Sequence, residues 1–358
     1  MPMDNGLRSL VEQIKSLMET ARSSAVKEVN STMLTAYWEI GRIIVQREQE
    51  GEIRAKYGKR LLPEISKRLT RELGRGFSRS NLQNMRSLYI TYPICHTLSG
   101  KLSWSHYIEL LSVSDKDARS FYEQECLNSR WSVKELNRQI GTSLFERMLL
   151  SDGKTNKETV LALARSGNTM SQPQDILKQP FVFEFLGVRE NKPMLEKDLE
   201  AKLIRHIEDF LLELGRGFMF VGSQQRVTLG NNHYYVDMVF YNKILKAYVL
   251  IDLKRGGLQI EHAGQMNAYL NYYRNEVNDK DDNPPVGIIL CRTSDGVVAE
   301  YALGGLSNQV FASRYVYYIP DKEQLVEEVN ALLAREIDIE DSANPPELDE
   351  NEWQDVQQ

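Results

Sequence analysis

Tyr234-Tyr-Val-Asp-Met-Val-Phe-Tyr241, a break at 242–246, then Ala247-Tyr-Val-Leu-Ile-Asp-Leu-Lys254: the reading of these residues decides the fold. Both runs are rich in β-branched and aromatic residues and are separated by a short polar stretch, which predicts a hairpin. If the connection is centred between Ile244 and Leu245, opposed residues carry numbers that sum to 489. Val236 then faces Leu253, Met238 faces Ile251 and Phe240 faces Val249. That side is consistently apolar, and a slip of one residue would mix it. The same register sets Asp237 opposite Asp252, with Cβ atoms roughly 4.5–5.5 Å apart. Lys254 projects from the same face, two residues on. Two carboxylates so close, among Tyr235, Val239, Tyr248 and Leu250, are unfavourable unless a proton or a cation compensates. Lys254 can neutralise one of them. A hard divalent ion, Mg²⁺ or Mn²⁺, would accommodate both.

Outward from the hairpin, the grammar is that of a layered α/β unit. A helix at 195–214 and a strand at 218–229 precede it; a helix at 261–275 and an apolar strand at 286–291 follow. The order αβββαβ predicts a mixed central sheet flanked by helices, with a further strand (314–319) and helix (322–334) to complete it. Glu200 heads the line Glu200–Ile204–Ile207–Leu211–Leu214 and so points inward, whereas Asp198 aligns with Lys202 and Arg205 on the wet face. Glu196, one turn earlier, competes with Glu200 as the third acid. Taken singly, an Asp-x-Lys in a strand is most often a solvent-facing edge. The opposed aspartates, the inward glutamate and the element order together favour a catalytic site.

The first 150 residues read as helical by their 3.6-residue periodicity, with helices at 10–25, 34–47 and 59–73. Gly74-Arg75-Gly76 ends the third, and Ser78 or Ser80 caps the next, the outline of a helix-turn-helix. Arg75, Arg79, Asn81, Gln83 and Arg86 lie on or before that helix, and Arg, Asn and Gln can pair with base edges. A bundle that mediates dimerisation explains the same pattern equally well. Trp104 and His106 read as core or interface residues. Residues 151–180 are rich in Ser, Asn, Gln and Gly and read as a linker, interrupted by a helical stretch near 158–164; 336–358 read as an acidic, unstructured tail.

The net charge of −6 argues against nucleic acid until its distribution is considered. The tail holds nine acidic residues and no Lys or Arg, whereas residues 51–90 hold ten basic and three acidic groups. Basic charge is therefore concentrated where a phosphate backbone could meet it. The three cysteines, Cys95, Cys126 and Cys291, lack metal-ligand spacing and predict a reducing, cytoplasmic setting without disulfides. No apolar run approaches the ~20 residues that cross a bilayer.

The hairpin resembles the PD-(D/E)XK nucleases, with Val236-Asp237 at the PD and Asp252-Leu253-Lys254 at the (D/E)XK. More closely, the chain resembles the YhcG-like family. The matching stretches include Phe210-Leu-Leu-Glu-Leu-Gly-Arg-Gly-Phe218, Tyr235–Tyr241 and Ala263-Gly-Gln-Met-Asn-Ala-Tyr-Leu270. Toward the N-terminus they include Tyr37-Trp-Glu-Ile-Gly41, Gly74–Leu82 and Leu102-Ser-Trp-Ser-His-Tyr107. The resemblance implies a helical N-terminal domain (1–150), the linker, and a restriction-endonuclease-like domain (181–335). It implies a Mg²⁺- or Mn²⁺-dependent DNA endonuclease, with foreign, mobile or branched DNA as candidate substrates. Asp237, Asp252, Glu200 and the Leu253 carbonyl would hold the metal, Lys254 would orient water, and Gln265 matches a glutamine beside the site. A homo-oligomer, and protein partners from a defence or mobile-element system, are further expectations. The alternative is a non-catalytic DNA-binding or assembly module that keeps the nuclease fold. Val236 stands where the signature has proline, and Asp252 where Glu is common.

Overall fold

The computed structural model describes residues 3–49, 55–151, 156–188, 194–293 and 309–343. The chain divides into two compact units, Met1–Arg138 and Gln139–Gln358.

The first unit is helical: α1 (Met3–Gln49), α2 (Ala55–Leu73), α3 (Arg79–Thr91), α4 (Trp104–Leu111), α5 (Lys116–Ser129) and α6 (Val133–Gly141), the last running past the division. Where two helices are expected at 10–25 and 34–47, α1 is one continuous helix. The polar stretch between them holds no Gly or Pro to stop it. Ser78 caps α3 through the Asn81 N–H, as its position predicts. Ile44, Leu62, Leu82 and Met85 form the local core. At Gly41 a Cβ would stand 2.1 Å from the Met85 carbonyl oxygen, so only glycine lets α1 lie this close to α3.

The second unit begins with α7 (Leu144–Ser151) and α8 (Lys157–Ser166), then β1 (Phe181–Val182). Next come α9 (Glu196–Arg205), α10 (Ile207–Leu214), β2 (Phe218–Leu229), β3 (Asn232–Asn242) and β4 (Ala247–Gly257). It ends with α11 (Ile260–Tyr272), β5 (Val286–Thr293), β6 (Val310–Val316) and α12 (Lys322–Ala343). The sheet order is β1-β6-β5-β4-β3-β2. The β2–β3–β4 meander is antiparallel and the other pairings are parallel, which makes the mixed sheet and αβββαβ order expected.

Alternation along the strands sorts two cores. Met238, Phe240, Val249, Ile251 and Leu290 pack with Leu199, Leu203, Phe210 and Leu214 of α9 and α10. Val239, Leu250 and Ile289 pack with Ala263, Met266 and Leu270 of α11. Buried on both faces, β5 runs apolar from Val286 to Cys291, as a strand inside a two-sided sheet must.

Three boundaries differ from expectation. The helix expected at 195–214 bends at His206, which leaves Leu199 and Leu203 before the bend and Phe210 and Leu214 after it in one core. The stretch 151–180 carries α8 where a helix is expected near 158–164, but the rest is not a bare linker: Ile176 and Leu177 are buried with β1 in the sheet core. Its polar residues serve turns, as where the Asp175 carboxylate accepts the Ser171 and Gln172 N–H groups. Residues 336–343, expected in the unstructured tail, continue α12; 344–358 lie outside the described residues. Among the described residues no helix is long and apolar enough to cross a membrane.

Candidate active site

The hairpin turn sets the register of the site. Buried Asn242 accepts the N–H groups of Ile244 and Leu245 and donates to the Arg216 carbonyl. That pins the β3–β4 register, which pairs Met238 with Ile251, Phe240 with Val249 and Asn242 with Ala247. All three pairs sum to 489, as read from the sequence. The paired run stops at Met238. Beyond it the Asp237 Oδ2 accepts the Leu253 N–H at 2.8 Å, so a side chain stands where a backbone partner would. Val236, expected to face Leu253, belongs instead to the core on the α11 side. The ladder thus opens at its acidic end, where the carboxylates gather.

Asp252 is buried, at 3% exposure, and its Oδ2 lies 2.6 Å from the Lys254 Nζ. That oxygen takes no further hydrogen bond. Burial pushes the Asp237 carboxyl up to about 7, the Asp252 charge adds to this, and the Leu253 N–H and Lys254 partly offset it. Burial works against the Lys254 ammonium, but Asp252 outweighs it and the group is held above its ordinary value. Glu200 is buried at the inward position expected, and burial followed by the Asp237 charge raises its pKa. The cluster therefore brings together Glu200, Asp237, Asp252 and Lys254.

Gln224, which sequence reasoning missed, joins two of these acids. Its Nε2 donates to Glu200 Oε2 at 2.7 Å and to Asp237 Oδ1 at 3.2 Å. The β2–β3 register shifts between Phe220 and Gly222, and Gln224 then sits at φ 48, a left-handed backbone that costs a non-glycine residue about 1–2 kcal/mol. A Gln224→Gly variant should therefore be more stable than Gln224→Ala by about 1 kcal/mol in urea denaturation. Both lose the bridge, so both should slow any reaction at the cluster. Equal stability of the two variants would contradict the backbone assignment.

The Gln265 Nε2 donates to the Tyr269 hydroxyl at 2.5 Å, which donates to the Tyr235 carbonyl at 3.2 Å. Burial and then Asp252 raise the Tyr269 pKa. Glu196, the competitor to Glu200, is exposed and accepts the Arg255 N–H at 2.9 Å. The residues read as base-contacting lie in the other unit. There the Asn81 amide is spent on the Gly76 carbonyl and the Trp104 indole, and Arg86 pairs with Glu48 at 2.8 Å. Arg75, Arg79 and Gln83 are exposed. His106 caps α4 through Ser103 and contacts the Trp131 carbonyl, a structural role.

The cluster fits a hard divalent cation through two carboxylates. Asp252 offers a buried oxygen satisfied only by the ammonium, and Asp237 beside it carries a charge that burial disfavours. Glu200 is joined to Asp237 through the Gln224 amide, which bridges the two carboxylates.

The model of the YhcG PDDEXK nuclease domain matches residues 174–330, and that of the DUF1016 N-terminal domain matches 13–147. The putative nuclease YhcG of Escherichia coli (strain K12) is 39% identical over 356 residues, covering 90% of this chain and 94% of that one. The chain belongs to the YhcG family of PDDEXK nucleases. All members of the carboxylate–lysine cluster fall inside the YhcG nuclease match, as does β1. Two solved structures overlap the chain weakly. A repair endonuclease from Pyrococcus abyssi has a TM-score of 0.26 and 15% identity, over 35% of this chain and 49% of that one. The EndoMS–dsDNA2 complex has a TM-score of 0.25 and 14% identity, over 38% and 51%.

The acid pair also makes a prediction for the metal-free protein. With its folded pKa raised to about 7, Asp237 contributes most to stability when protonated, and that contribution is lost as pH rises through 7. Asp237→Asn should therefore raise Tm at pH 8, and the gain should shrink as pH falls from 7 toward 4. A gain that grows on acidification would contradict the assigned direction.

Proposed function

We propose that this YhcG-family nuclease is a metal-dependent DNA endonuclease that hydrolyses phosphodiester bonds at the Asp237–Asp252–Lys254 cluster. The observation that supports it most is the buried Asp252–Lys254 pair beside an Asp237 whose charge is disfavoured unless a cation joins it. Asp237 and Asp252, with the Leu253 carbonyl, would hold Mg²⁺ or Mn²⁺. When bound, such an ion polarises a phosphoryl oxygen and lowers the pKa of water. Lys254 supplies a fixed positive charge for the developing phosphorane and orients the nucleophilic water. Glu200, whose pKa burial raises and which is tied to Asp237 through Gln224, would accept or return a proton in this reading. Gln265 holds Tyr269 against the strand edge at Tyr235. DNA is the proposed substrate because basic charge is concentrated in residues 51–90.

A binding module on the same fold draws support from one observation: the Lys254 ammonium itself pairs with the Asp252 carboxylate at 2.6 Å. The two readings separate on supercoiled, linear and branched DNA, and on RNA, incubated with the full chain in Mg²⁺, in Mn²⁺ and in chelator. Cleavage of DNA only with metal supports the endonuclease. Absence of cleavage together with absence of metal-binding heat supports the module.

A further inference from the structure

The helical unit holds a cleft of about 590 Å³ that the cluster does not use. Three separate segments line it: α1 with Arg22, Lys27 and Asn30, the approach to α4 with Lys101, and the end of α5 with Arg130 and Trp131. Four cations face the space, and no carboxylate is among its lining residues. Among the described residues no ion pair or hydrogen bond engages these four side chains. Like charges gathered in a concavity repel one another, and they focus a positive potential that an anion relieves.

The walls of the cleft are built rather than loose. A Cβ on Gly100 would stand 2.9 Å from the Lys27 carbonyl oxygen, so the segment before α4 lies hard against α1. The Tyr107 hydroxyl accepts the Ser99 N–H at 2.7 Å, and His106 holds the Trp131 carbonyl at 3.0 Å. Arg130 adopts φ 53, a strained conformation for a residue with a side chain, at the C-terminus of α5. The helix dipole there favours a cation, which accounts for arginine at that position but not for the other three. Cys126 adds no reactivity, because burial pushes its thiol up to about 12.

We propose that this cleft binds the phosphate backbone of a nucleic-acid strand. Four cations spread over three segments, unpaired among the described residues, exceed what one phosphate needs and suit successive phosphates along a chain. The half-buried Trp131 and the Asn30 amide add a stacking face and a hydrogen-bonding edge for a base. Binding at this cleft does not depend on catalysis and survives if the cluster proves inactive. The cleft also differs in place from Arg75, Arg79 and Gln83 in the α2–α3 region.

The test uses the full chain in chelator, so that binding is read without cleavage. Anisotropy of a labelled single strand and a labelled duplex is followed across a salt series. Lys27→Gln, Lys101→Gln and Arg130→Gln combined should weaken strand binding about tenfold or more, and reduce the single-strand salt slope by about 2. A control that removes the same charge from the sheet unit, Lys157→Gln, Lys197→Gln and Lys243→Gln, should change it far less. Equal loss in both triples, or no loss in the first, overturns the proposal. Binding of a mononucleotide as tightly as a strand, with the same dependence on the three cations, also overturns it in favour of a small-molecule site. The substituted residues are exposed, so unchanged Tm accompanies the expected result.

Discussion

Asp252→Ala and Lys254→Ala are each expected to slow the proposed metal-dependent cleavage by about 10³-fold or more, and to do so non-additively. Both remove parts of one device. Asp252 offers an almost fully buried carboxylate oxygen, and Lys254 stands 2.6 Å from it with its own side chain 14% exposed. A purely structural ion pair would give a different signature. Truncating Lys254 alone leaves Asp252 buried beside Asp237 with no compensating charge, a loss of about 3–5 kcal/mol for a buried pair. Asp252→Asn combined with Lys254→Met removes both charges together and should recover most of that stability. If the cluster is catalytic, the stable double variant stays inactive on plasmid DNA in Mg²⁺ or Mn²⁺. Recovery of cleavage along with stability would mean that the pair only supports the fold and that the reacting groups lie elsewhere.

The part of this site that the sequence discloses is set by the hairpin. Alternation on both strands admits one register that keeps Met238, Phe240, Val249 and Ile251 on one side, and the structure adopts it. Glu200 is legible for the same kind of reason, since helical spacing separates it from Asp198. What the sequence hides is where regular spacing stops. Ideal alternation places Val236 against Leu253, but the ladder ends at Met238 and a carboxylate takes the next N–H. Side-chain competition for backbone donors leaves no mark in a hydrophobic pattern. Gln224 is hidden likewise: a glutamine in a strand has no periodic signature, and its importance comes from the bulge that turns it toward two acids. One signal was available. Gly222-Ser-Gln-Gln225 interrupts the run Phe218-Met-Phe-Val221, and a glycine within a strand often marks a bulge. In the helical unit, α1 reads as two helices because periodicity weakens where a helix is exposed on most sides; Val26 and Val29 are exposed there.

Arg147→Met is the second large expectation, a loss of about 3–5 kcal/mol in urea denaturation of the sheet unit. Arg147 and Glu213 are both fully buried and meet at 2.6 Å, where neither charge can turn to water. The pair also ties down the segment that composition presented as a linker. Arg147 donates to the carbonyls of Thr142 and Pro180, and Glu213 accepts the Val182 N–H of β1 at 3.0 Å. Lys178 donates to the Glu213 carbonyl as well. Removing the arginine leaves a buried carboxylate uncompensated and two carbonyls short of a donor. Adding Glu213→Leu relieves the first cost but not the second, and it strands the Val182 N–H, so the double variant should recover only part of the loss. Full recovery would mean that the carbonyls find other partners; no recovery would mean that packing, not charge, dominates. Because the network lies outside the carboxylate cluster, activity per folded molecule should hold while Tm falls. That contrast distinguishes an anchor of the fold from the residues proposed to do its chemistry.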